Sequence, residues 1–540
     1  MHFCKSLGED LRLNKIIALY KNELIKISRK VSTIIFMIIM IIGCFGVGGI
    51  MKFMEAQTNQ YSNSYVDTNQ IQRYTDDLTA QIQSQTTSLA DLDKQIESMS
   101  DTPENQMALQ SLKDQRANVS IQIEMMQTEI DKELFIGYQN NFLTQALQDL
   151  TNLKSEVYSL EMIPAELRDA AWQNTLDSKN QLLADLLGIL DSRNFDEYIS
   201  IMKDAAADNN SLSASDKEIQ TEYYTLWYQL DPSGGIDDMT MSNQAQGIAQ
   251  SVGDMRRSIN DKVDYTSYSQ SSAPMSPDQV SNMENRLAVM EYQISHNSVA
   301  ISNGMDFSAG SSSSIFGFGL FIIVLMMLVL AGGAVSQEIS SGSIKSLIIA
   351  PVKRWKIFTA KVLSLLTVGL LALVVLYIFG MLSQGLFFGF SKIPYVYASD
   401  GVAAAIPSAL YRFLSLLVSY IDIIVYMAFA FMLSVLTRNT AVAVGSSIAI
   451  YFSGSAVLSV MMMLPSYEWL KFIPFANLDL NSRVFPFSSM MQDISMSYSG
   501  MITRTSFTSP SLIFSLIYLA IFLFCMTYTA MDSFNRRDLK

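Results

Sequence analysis

"VSTIIFMIIMIIGCFGVGGIM", residues 31–51, decides how the rest of the chain is read. It contains no charged side chain. It is long enough to cross a hydrocarbon layer of ~30 Å, which takes about 20 helical residues. The thirty residues before it carry seven bases: Lys5, Arg12, Lys15, Lys21, Lys26, Arg29 and Lys30. A signal peptide has a short basic start and a shorter apolar core. Residues 31–51 are therefore expected to stay in the protein as a first transmembrane helix.

Five further runs meet the same length criterion, near 315–335, 362–382, 413–436, 441–464 and 511–531. Between the first and second lies a block of a different kind. Residues 52–313 hold 39 acids and 16 bases, a net of −23, whereas the remainder holds 11 acids and 21 bases, a net of +10. The expected fold is an all-α membrane protein: six transmembrane helices plus one large, mostly helical, aqueous insert.

Basic residues near the spans set orientation. They cluster in residues 1–30, in the loop 336–361, at Arg438, and at Arg536, Arg537 and Lys540. With six spans all four clusters fall on one side. That side is expected to be the cytoplasm, with both termini inside. Residues 52–313 and the loops 383–412 and 465–510 are then extracellular, and 314–540 carries spans two to six.

The insert shows helical periodicity. Ile71, Leu78, Leu92 and Met99 recur at multiples of seven, with Ile82, Leu89 and Ile96 between them. A second stripe runs through Leu109, Leu112, Val119, Ile123, Met126 and Ile130, after a turn at "SDTPEN". The pair predicts an antiparallel, coiled-coil-like hairpin. A third stripe starts at Ser276 and Pro277 and runs through Val280, Met283, Leu287, Met290 and Ile294 to Ile301. Residues 205–216 and 231–275, rich in Ser, Asn, Asp and Gly, read as loops. The stripes serve equally as core faces of a globular helical domain.

Signs of enzymatic chemistry are missing. There is no G-x-x-x-x-G-K-[ST], G-x-S-x-G, H-E-x-x-H or C-x-x-C pattern. Three cysteines (Cys4, Cys44, Cys525) and two histidines (His2, His296) give neither a disulfide framework nor a zinc set. No catalytic residue, metal ligand or nucleic-acid partner is expected. Asp422 stands out, because an acid within a span costs roughly 2.5–3.5 kcal/mol on insertion scales. It reads either as an ion or substrate contact, or as an acid satisfied by a nearby Ser, Tyr or Arg412. Gly445, Ala449 and Ser453, four apart in span five, form a small-residue stripe suited to close helix packing, within the chain or between copies.

The loop between spans two and three, "EISSGSIKSLIIAPVKRWKIFTAK" (338–361), holds five bases and one acid. A short helix over about 339–349 is expected to end near Pro351, with Ser340, Ser341 and Ser343 forming a small polar face. Glu338, Gly342-Ser343, "LIIAP", Lys353-Arg354 and Lys361 resemble the ABC-2 family of ABC-transporter permeases; Ser343 stands where Thr is usual. Six spans and an N-terminal amphipathic helix with Ile16, Tyr20, Leu24 and Ile27 on one face strengthen the likeness. So does a polar loop with Pro465 and Pro474. It covers 1–51 and 314–540 but not the insert.

The resemblance implies a membrane-spanning permease subunit of an ATP-driven exporter, moving a peptide, drug or lipid-like cargo outward as a homodimer or heterodimer. It implies that Glu338, Ser340, Ser341, Gly342, Ser343, Lys345, Pro351, Lys353 and Arg354 couple to a separate ATPase subunit. ATP and Mg²⁺ would be bound there, with no cofactor in this chain. Residues 1–30 would form an interface helix beside that subunit. A loop that only sets topology explains the bases but not the Glu338–Gly342–Pro351 spacing. The rival reading is a bacterial surface receptor or secretion-accessory protein, in which the extracellular helical block is the working part.

Overall fold

The computed structural model describes residues 16–62, 68–100, 102, 105–135, 141–209, 211–235, 239–266, 274–299, 308–341, 353–390, 393–463, 468–486 and 510–536. They divide into two compact units, one containing the apolar helices and one built from residues between 56 and 306.

In the first unit, residues 16–28 form helix α1 and Val31–Ser62 form α2. Six helices are long and apolar enough to cross a membrane: Val31–Gln57, Ser313–Ser340, Arg354–Phe387, Ser408–Thr437, Thr440–Leu458 and Leu512–Arg536. These are spans one to six. Each coincides with a run marked out by the sequence, and span three begins eight residues before the apolar run does. Span two is the most enclosed, packed against spans three, four and five. Its residues Ile315, Met327, Leu328 and Ala331 are at most 1% exposed. Small residues permit the approach: a Cβ on Gly43 would lie 1.9 Å from Phe318, and one on Gly319 2.0 Å from Leu376.

A two-stranded antiparallel hairpin, Tyr395–Ser399 with Val402–Ile406, departs from the all-α expectation. Its turn explains it. Asp400 (φ 51°) and Gly401 (φ 75°) are both left-handed, and Asp-Gly is the pair that a tight type I′ hairpin turn favours. Tyr395 then stacks on Tyr411 at 4.3 Å, with Phe485 edge-on to both.

The second unit is a helical domain with its own core. Its helices are α3 (Thr68–Ser98), α4 (Gln106–Asp131), α5 (Phe142–Glu161), α6 (Ala170–Ser192), α7 (Phe195–Asp208), α8 (Ala214–Leu230), α9 (Met239–Asp261) and α10 (Pro277–Ser295). Helices α3 and α4 pair antiparallel, because Arg116 donates to Asp93 at 2.5 Å while Tyr74 donates to Glu129 at 2.6 Å. Side-chain caps start several helices: Asn141 for α5, Asp169 for α6, Asn194 for α7 and Ser213 for α8. Ser276 and Gln279 form a capping box on α10.

The expected loops over 205–216 and 231–275 are only partly loop: 209, 211–213, 231–235, 262–266 and 274–275 are non-helical, and the other described residues there are helical. Helix α7 reaches Asp208, α8 starts at Ala214, and α9 fills 239–261. Helix α9 buries Ala245, Ile248, Ala249, Val252 and Met255. Its buried stripe is partly alanine, so it carries a helical period with little hydropathy. Helix α10 ends at Ser295, short of Ile301, which lies outside the described residues.

The core joins α5 to α7 and α8. Phe142, Tyr198 and Trp227 are fully buried, and Phe195 packs against Phe142 at 5.0 Å and Trp227 at 5.2 Å. Burial raises the Asp149 carboxyl above the ordinary carboxylate range, outweighing hydrogen bonds from Tyr198 and Gln145 that act to lower it. Removing the indole leaves a large cavity, and Trp227→Ala should cost about 3–5 kcal/mol. Hydrogen exchange on the full chain should show α5, α7 and α8 losing protection while spans two to four keep theirs. Unchanged protection in all three helices would contradict this account of the core.

Candidate functional site

The segment 341–353 is bracketed by two charged residues that the fold brings together. Glu338 sits on Ser336–Ser340, the last turn of span two, and Lys361 lies in the opening turns of span three. Lys361 donates to Glu338 at 2.7 Å and to Glu23 of α1 at 3.0 Å. Lys26, also on α1, donates to the same Glu338 oxygen. The side chain of Lys361 is 2% exposed and that of Glu338 7%. Two carboxylates and two ammoniums thus form one cluster joining α1, the end of span two and the start of span three.

Helix α1 reaches the cluster because its two faces do different work. Leu24 and Ile27 pack on the apolar core of the span unit, and the Tyr20 hydroxyl meets Thr367 at 2.9 Å. Lys30 donates to Gln337 at 2.8 Å. Burial would lower the Lys26 ammonium, but the hydrogen bond and charge of Glu338 outweigh it and hold it above the ordinary lysine value. Burial pulls Lys30 below that value, helped by the positive charge of Lys26.

Glu338 is thus paired within the protein, with Lys26 and Lys361. Ser340 and Ser341 are exposed at the surface of the same turn. The helix expected over 339–349 is described only to Ser340; Gly342, Ser343, Lys345 and Pro351 lie outside the described residues. Lys353 is exposed at the N-cap of span three. Arg354 donates to the Asn535 carbonyl at 3.2 Å, tying this end of span three to the end of span six.

Ser434 belongs to no motif or stripe in the sequence. Span two breaks after Gly333, which frees backbone N–H groups within an apolar bundle. The buried Ser434 hydroxyl of span four accepts from Val335 N–H (3.1 Å) and Ser336 N–H (3.0 Å). Its signal was a lone hydroxyl in an apolar run, the kind that re-satisfies backbone inside a membrane.

Asp422 lies at the other polar cluster. Its Oδ2 accepts from Leu480 N–H at 3.3 Å. Its Oδ1 is buried with no hydrogen-bond partner among the described residues. Arg412 stacks instead near Phe316 and Tyr411. Around Leu480, Arg483 donates to Ser515 and to the Ala476 carbonyl. Ser515 donates to Asn477 at 2.9 Å, and Ser415 to Asn481 at 2.8 Å. The polar–apolar alternation in "NLDLNSR" (477–483) was the sequence signal for this network. Gly445, Ala449 and Ser453 are all exposed, and a Cβ on Gly445 would meet nothing within 4 Å. The packed side of span five is the opposite one, with Ala443 and Ser447 buried.

Neither cluster contains a nucleophile paired with a base, and among the described residues no group of three His, Cys, Asp or Glu side chains is placed to hold a metal ion. The arrangement around Glu338 can transmit position and charge. Removing Glu338 leaves Lys361 with Glu23 alone, so the cost should fall below the about 3–5 kcal/mol of a wholly orphaned buried charge. Glu338→Gln should lower the thermal stability of the purified chain accordingly. Adding Lys361→Met should recover part of that loss, since Glu23 then loses its own partner, and strictly additive losses would show that the two residues do not form the pair. For Asp422, Asp422→Asn keeps an acceptor for Leu480 N–H and should be tolerated, while Asp422→Leu orphans it at about 1–3 kcal/mol. Equal stability of the two variants would remove Asp422 from this network.

Residues 273–540 match the model of a family described as a protein of unknown function, DUF2705. The chain is 29% identical over 260 residues to the uncharacterized protein YhcI of Bacillus subtilis, covering 47% of this chain and 75% of the relative. It is 30% identical over 179 residues to the uncharacterized membrane protein YdbK of Bacillus subtilis, covering 32% of this chain and 68% of that relative. With six membrane-length apolar helices and this kinship, the chain is a multi-pass membrane protein and belongs to the same family as YdbK.

Proposed function

We propose that this chain is the membrane-spanning permease subunit of an ATP-driven exporter, with ATP hydrolysed by a separate ATPase subunit. The observation that supports the reading most is the Glu23–Lys26–Glu338–Lys361 cluster. It makes α1 and the two span ends that flank segment 341–353 into one connected piece. A push on that segment from a cytoplasmic partner would be felt by spans two and three together. In this scheme Ser340, Ser341, Gly342, Ser343, Lys345, Pro351, Lys353 and Arg354 meet the ATPase, and Glu338 anchors their base. The helical unit lies outside the cell, with α3 and α4 as a coiled-coil-like hairpin. Cargo is a peptide, drug or lipid-like molecule. Dimerisation would bring the exposed Gly445–Ala449–Ser453 stripe against a second permease.

Tagged full-length chain extracted gently from native membranes should retain a protein with a nucleotide-binding ATPase domain. Gly342→Trp should cut its recovery about tenfold while the spans still insert. Accessible-cysteine labelling in intact cells should reach a Cys at Ser211 and miss one at Lys353. Recovery of no ATPase, with the labelling pattern intact, would favour the receptor reading. The reverse labelling pattern would overturn the orientation itself.

A further inference from the structure

The helical unit contains a groove of about 1030 Å³, lined by α5, α6, α7 and Gln220 of α8. Sites for single small molecules occupy about 300–1,000 Å³, so this one is at or beyond their upper limit. Its floor is apolar: Leu153 and Leu186 are buried core residues, and Leu182, Ile201 and Met202 are partly buried against the same core. Its walls are acidic. Asp149, Glu156, Asp185, Asp204 and Asp208 line it, against one base, Lys179.

That single base is already neutralised by an ion pair with Glu156. Asp185 accepts only a neutral donor, Gln181, at 2.9 Å. Asp204 and Asp208 are exposed and have no ion-pair partner among the described residues. Asp149 is turned to Tyr198 and Gln145, so Asp185, Asp204 and Asp208 are the carboxylates that face the groove without a cation among the described residues, around a floor that water solvates poorly. A ligand that suits both carries positive charge and apolar surface on one body, and the groove has room for several residues of a peptide.

We propose that this groove binds a cationic, amphipathic peptide, its apolar side chains on the Leu182–Ile201–Met202 floor and its amines among Asp185, Asp204 and Asp208. The inference goes beyond the transport reading and does not depend on it. It concerns the helical unit alone, and it holds whether such a peptide is cargo, a signal or part of another protein.

The test uses the full chain in nanodiscs of zwitterionic lipid, with empty nanodiscs as the blank. The probe is a fluorescent twelve-residue peptide of Lys and Leu. One analogue replaces every Lys with Gln; another replaces every Leu with Ser. Anisotropy should show saturable binding of the parent and at least tenfold weaker binding of each analogue. The triple variant Asp185→Asn, Asp204→Asn, Asp208→Asn should weaken the parent about tenfold, since exposed pairs each contribute modestly. A control triple variant on α3, Asp76→Asn, Asp77→Asn, Asp91→Asn, removes the same charge and should change nothing. Three outcomes would overturn the proposal. The Ser analogue could bind as well as the parent, the control variant could lose as much as the groove variant, or the groove variant could bind normally. The first two would reduce the effect to diffuse attraction by an acidic domain. ATPase recovery is unaffected by any of these results, so failure here and failure of the transport reading are told apart.

Discussion

A carboxylate shared by two ammoniums, almost wholly out of water, is the constraint on which the organisation of the span unit rests. Glu338 could not be buried alone, because an isolated charge in a low-dielectric setting is too costly. Lys361, at 2% exposure, could not be buried without carboxylate partners. Each is tolerable because it is paired twice, Glu338 with Lys361 and Lys26, and Lys361 with Glu338 and Glu23. The N-terminal helix is thereby held by a polar interaction of defined geometry, in addition to the apolar contacts of Leu24 and Ile27.

The same logic governs backbone groups. Within apolar surroundings every free N–H must find an acceptor from the protein. Span two interrupts its helix after Gly333, and Ser434 supplies the acceptor. The Ser336 hydroxyl in turn donates to the Gly332 carbonyl at 2.6 Å. The short turn carrying Glu338 can therefore point its side chain differently from the rest of the span without stranding the Val335 and Ser336 N–H groups. The break and the charge cluster belong together: one gives the turn its direction, the other fixes where it lands.

The spans were legible because their signal is a composition held over twenty or more residues, which local detail does not blur. The α3–α4 pair and the start of α10 were legible from apolar period and from Ser276-Pro277. Helix α9 was not, since Ala245 and Ala249 give close packing without hydropathy, and its Ser, Asn and Gln content mimics a loop. The hairpin was missed because "VAAAI" is a weak strand sequence, although the Asp400-Gly401 turn pair was in plain view. Glu338 and Lys361 were both singled out, but 23 residues separate them, and pairing at that distance is a property of the folded bundle. Glu23, among the bases of the N-terminal segment, gave no sign that it would complete a cluster. Asp422 was recognised as needing a partner; a backbone N–H supplied by residue 480 leaves no trace in side-chain chemistry.

The polar network over Asp422 is a spacer between two helices. Ser415 and Asp422 belong to span four and Ser515 to span six, and all three are held by a single stretch, residues 476–483. That stretch acts as a tie-bar of fixed length. Spans four and six can tilt or shift as a pair, but they cannot part at this end without breaking several hydrogen bonds at once. Any rearrangement of the bundle that preserves the tie-bar must therefore take its freedom elsewhere, among helices that share no such fastening.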